Sequence, residues 1–167
     1  MSKTTPVYFH EEMFWAYDVA LGVFLKHLID AAEPHTIRPG REWLSEAITD
    51  WRVVAGLGGG CFALAIEEYW SQEQREFLTG LADEACRQLA RRDTIGAEEA
   101  QSWNVLDGKG VFTRGAERVE TAQVIELGRA FIDLIRGMLG KSPANTRWFY
   151  GCPEGRLTIA MHDTSNS

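Results

Sequence analysis

The chain has 167 residues and 18.8 kDa, with 45% hydrophobic and 25% charged residues, which is ordinary globular composition and excludes disorder, collagen-like repeats and disulfide miniproteins. A chain of this length buries enough surface to fold as one domain, residues 1–167, without metal or disulfide staples. The net charge of −7 is uneven: residues 1–76 carry twelve acids against six bases, and residues 77–167 carry twelve against eleven.

An acidic half repels a phosphate backbone, so no nucleic-acid partner is expected, and a basic protein fits better. The three cysteines, Cys61, Cys86 and Cys152, include no C-x-x-C pair and imply reduced thiols in a cytoplasmic protein. The N-terminus lacks the order of a secretory signal. The apolar run Met13 to Ile29 is broken by Asp18, Lys26 and His27, which reads as a core helix and not a membrane span.

In chain order, Phe14, Tyr17, Leu21, Phe24 and Leu28 recur at helical spacing and predict a central helix from Glu11 to about Ala32. Its polar stripe is Asp18, Gly22, Lys26 and Asp30, so most of its circumference should be covered. After the Pro39-Gly40 loop a second helix is predicted from Arg41 to about Val53, with Trp43, Ala47 and Trp51 as its apolar stripe. The cluster Gly56 to Gly60 reads as a connection. It lacks the third glycine of a dinucleotide fingerprint and the Gly-Lys-Ser/Thr of a P-loop, and a helical pattern precedes it where a strand is required.

Phe62 to Ile66 reads as a strand. Ser71 followed by Gln74 is a capping box that opens a third helix to about Arg92, with Leu78, Leu81, Ala85 and Leu89 inward. A short helical turn at Glu98–Trp103 and a hairpin around Asp107-Gly108 follow. A fourth long helix is predicted over Glu120–Leu139, with Met138 inward and Gly140 ending it. Arg147–Tyr150 and Arg156–Met161 read as a C-terminal hairpin, and the ends, about 1–5 and 163–167, as flexible. The expected fold is α+β and predominantly helical, with about four long helices and short strands or hairpins.

No catalytic, cofactor or metal motif stands out. His10-Glu11-Glu12 lacks the second histidine of H-E-x-x-H, because Phe14 stands at that position. Cys152 has no base placed beside it by sequence. Glu67 and Glu68 form an adjacent carboxylate pair, which strand alternation would send to opposite faces.

The more informative constellation is Glu42, Glu46 and Asp50, spaced four apart with no interleaving cation, beside Trp43 and Trp51. Like charges at that spacing repel, and aromatic anchors rimmed by charge are what protein interfaces use. The binding residues expected are therefore Glu42, Trp43, Glu46, Asp50, Glu67 and Glu68.

The leading expectation is a protein-binding or inhibitory module that occludes a basic partner, in the style of toxin-neutralising immunity proteins. That comparison is of style, with no shared motif. Two alternatives stand beside it. One is a small enzyme assembling His10, Glu67, Cys152 and His162. The other is a self-associating structural protein that uses the apolar faces of the first and fourth helices.

Overall fold

The structure is a computed structural model that describes residues 3–58 and 63–162. The chain begins with a hairpin, β1 (Thr4–Phe9) and β2 (Glu12–Tyr17), paired antiparallel from Thr4 with Tyr17 to Phe9 with Glu12. His10 makes the turn with a left-handed φ of 54°, a conformation that histidine tolerates better than bulkier residues.

Helix α1 (Asp18–Ala32) starts only after β2, so the helix expected from Glu11 is a strand over its first residues. The run Met13–Tyr17 is apolar at every position and satisfies either period. Pairing with β1 selects the strand, burying Phe14 and Ala16 on one face and leaving Met13 and Trp15 half-buried on the other.

α1 is the central helix and packs against α2 (Glu42–Leu57), α3 (Gln72–Leu89) and α5 (Thr121–Ile135). Half of its expected polar stripe is interior. Asp18 is buried, and a Cβ on Gly22 would lie 2.8 Å from Val111 Cγ1, because the segment around residues 111–114 crosses α1 there. Only Lys26 and Asp30 reach the surface, where they pair with each other.

The second helix runs four residues beyond its expected end and takes in Gly56 and Leu57. Gly58 stops it at φ +76°, where the Phe112 ring leaves no room for a Cβ. Gly59, Gly60 and Phe62 lie outside the described residues. Of the strand expected over Phe62–Ile66, Leu64–Ala65 forms β3, parallel to β1.

The capping box is present: the Ser71 hydroxyl accepts from Gln74 N–H, and the Gln74 side chain accepts from Ser71 N–H. Strands β4 (Thr94–Gly96) and β5 (Arg118–Glu120) form a small two-stranded sheet around α4 (Ala97–Ser102). The expected hairpin at residues 105–112 is reduced to a single bridge between Leu106 and Lys109, turned by Asp107 and Gly108 with positive φ.

α5 stops earlier than expected. Gly137 N–H bonds to Leu134 C=O and Met138 N–H to Asp133 C=O, a Schellman cap with Gly137 at φ +70°. Met138, expected inward, is therefore exposed.

Strands β6 (Thr146–Tyr150) and β7 (Leu157–Ala160) form the expected C-terminal hairpin and complete a mixed five-stranded sheet of order β3-β1-β2-β6-β7. The fold is thus α+β, with four long helices (α1, α2, α3 and α5) and more sheet than the short hairpins expected. The broad apolar faces of α1 and α5 are consumed inside it, against each other, α3 and the sheet.

Candidate functional site

Two stripes run side by side along α2, an apolar one turned inward and an acidic one turned outward. Trp51 and Ala47 are buried and Trp43 is half-buried, while Glu46 and Asp50, one turn apart, stay exposed next to them. Facing this helix is the segment that follows β3. Trp70 N–H bonds to Glu67 C=O in a turn, which fixes Trp70 directly before the Ser71 cap and buries it against Trp43, with ring centroids 5.1 Å apart and nearly edge-to-face.

Between the two walls lies a cleft of about 260 Å³. Trp43, Trp51 and Trp70 form its aromatic lining, Tyr69 stands at its mouth 75% exposed, and Glu46, Asp50 and Glu67 supply its carboxylates.

Of the six residues expected to bind, four meet here: Trp43, Glu46, Asp50 and Glu67. Glu42 does not line the cleft. It occupies the first turn of α2, where a negative charge complements the helix dipole. Glu68 points away, with its Oε1 3.7 Å from His10 Nδ1. The pair Glu67 and Glu68 therefore diverges as expected, although from a turn and not from a strand.

Tyr69 and Trp70 were not among the residues the sequence marked. An aromatic pair immediately ahead of a capping box was the available signal.

Among the described residues, every ion pair lies elsewhere, and none neutralises Glu46, Asp50 or Glu67. The field of these carboxylates is felt at the cleft mouth. Partial desolvation, and then the charges of Glu67, Glu46 and Asp50, hold the Tyr69 phenol above its ordinary value.

The residues named for the enzyme reading are scattered. Glu67 follows β3 and His162 follows β7, at opposite edges of a five-stranded sheet about 19 Å wide at ordinary strand spacing. His10 lines a separate cleft with Arg75 and Arg136. Cys152 is buried, and desolvation followed by Glu154 pushes its thiol up to about 11, which holds it in the protonated form at pH 7.

Among the described residues no group of His, Cys, Asp or Glu is gathered to hold a metal ion, and no helix is long and apolar enough to cross a membrane. No protein-family model, curated protein or solved structure matches the chain.

Proposed function

We propose that the protein is a cytoplasmic protein-binding module that receives a basic partner on the face formed by α2 and the β3–α3 connection. The observation that carries this reading is the aromatic cleft whose three carboxylates, Glu46, Asp50 and Glu67, form no ion pair among the described residues. A fold that leaves like charges side by side on a helix accepts a small cost in stability, which a cationic partner would recover on docking. The aromatic side chains supply apolar contact area, and the carboxylates steer encounter and select the partner. In its sharpest form the reading makes the protein an immunity-type inhibitor that covers the active cleft of a basic toxin.

The test is capture from the source organism's lysate on the immobilised wild-type protein and on the Glu46→Lys, Asp50→Lys, Glu67→Lys variant, at low and high salt. The expected result is a basic protein retained by the wild type at low salt and lost with the variant, with association to the purified partner slowing at least about tenfold as salt screens the field. Equal retention of the same proteins by both forms would overturn the reading.

A further inference from the structure

We propose that the cleft between α2 and the β3–α3 connection is an arginine pocket, which seats the guanidinium group of one arginine side chain projected by the basic partner. The inference rests on the binding reading above and names what enters the cleft.

Size sets the first constraint. At about 260 Å³ the cleft falls just below the roughly 300–1,000 Å³ typical of sites for drug-sized molecules, and it admits a long side chain but not a helix about 10–12 Å across.

Its lining sets the second. Trp70 is buried edge-to-face against the half-buried Trp43, and Tyr69 stands exposed at the mouth, so a flat cation entering here stacks on the accessible parts of the Trp43 and Tyr69 rings. The carboxylates set the third. Glu46 and Asp50 come from one wall and Glu67 from the other, and the three are not gathered closely enough to ligate a metal ion. Carboxylates on two walls suit a cation whose charge is shared among several N–H donors.

A guanidinium group is planar, weakly hydrated and carries five N–H donors in a fixed fork, whereas a lysine ammonium is compact and strongly hydrated. The chain itself stacks guanidinium on aromatic rings elsewhere, with Arg41 over Phe77 and Arg156 over Trp148, each 3.9 Å from the ring centroid.

The test follows the indole N–H signals of the tryptophans by NMR while the full chain is titrated with acetyl-Gly-Arg-Gly-amide, its lysine counterpart and its uncharged citrulline counterpart. The arginine peptide should shift the Trp43 and Trp70 signals saturably, the lysine peptide should bind at least about threefold more weakly, and the citrulline peptide should leave both signals in place. Glu46→Gln with Asp50→Asn should weaken the arginine peptide about tenfold, and Glu42→Gln, outside the cleft, should not.

A parallel titration with a lysine-glycine polycation reads the broader proposal. If the polycation binds through Glu46, Asp50 and Glu67 but the arginine peptide moves neither indole, the pocket is overturned and the basic-partner reading stands. If neither probe binds, both fall. Equal affinity for arginine and lysine peptides, or an arginine response unchanged in the double variant, also overturns the pocket.

Discussion

Carboxylates occupy two contrasting settings in this protein. At the start of α1, Asp18 is almost wholly buried, and Arg114, ninety-six residues away in sequence, meets it through Nε at 2.8 and 3.0 Å from its two oxygens. On α2, Glu46 and Asp50 stand in the open with Glu67 opposite, and none of the three forms an ion pair among the described residues.

The difference separates two uses of the same functional group. A buried carboxylate without a partner is untenable, so the fold brings an arginine across the molecule to match it. An exposed one costs little when unmatched, so its repulsion can be retained on a surface that meets something else. The interior therefore settles its charges within the chain, and the cleft leaves its own outstanding.

The largest effect expected from this contrast is at Arg114. Arg114→Met removes the guanidinium that meets the buried Asp18 carboxylate and should cost up to about 3–5 kcal/mol in urea denaturation, while Asp18→Leu combined with Arg114→Met should recover much of that loss. A double variant no more stable than Arg114→Met would show that the pair is not the coupled unit described.

Next comes the interior's intolerance of an unmatched positive charge. His27, half-buried on α1, donates from Nδ1 to the Val23 carbonyl at 2.9 Å. Burial lowers its pKa, with Lys26 and Arg92 adding to the effect and the Val23 bond and Asp30 opposing it. Between the native value and the ordinary 6.5, the unfolded chain holds more protons than the folded one. The contribution of His27 is therefore complete above pH 6.5 and is lost as the pH falls through the native value. Stability measured from pH 7.5 to 5 should decline less steeply in His27→Gln than in the wild type, and parallel curves would remove His27 from the account.

The smallest effect is at the cleft. Glu46→Gln relieves repulsion from Glu42 and Asp50 and should raise stability by about 0.2–0.5 kcal/mol for each pair. A loss of stability would mean that Glu46 is held by an attractive contact, and the contrast with Asp18 would fail.

What could be read before the structure follows from the range of the forces involved. The Ser71–Gln74 cap, the Asp107-Gly108 turn and the C-terminal hairpin are set by neighbours a few residues apart, and each was visible in the local pattern. The stretch Met13–Tyr17 was not, because an unbroken apolar run fits a helix as well as a strand and only its pairing with β1 decides. The end of α5 turned on which of two glycines, Gly137 or Gly140, could close a cap whose hydrogen bonds involve both sides of the helix terminus.

The site was half legible. Helical spacing alone aligned Glu42, Glu46 and Asp50 beside the tryptophans, but which of them face a cleft depends on where Glu67, Tyr69 and Trp70 lie.

The sequence by itself determined the uneven charge, the acidic stripe on α2 and the long helices, because these depend on composition and on a 3.6-residue period that any helix imposes. Only the tertiary structure decided that Glu42 is left out of the cleft, that Glu67 joins it from the opposite wall, and that Arg114 is consumed inside while Glu46, Asp50 and Glu67 form no ion pair among the described residues. Pairing between residues tens of positions apart is set by packing of the whole core, and no local period carries that information.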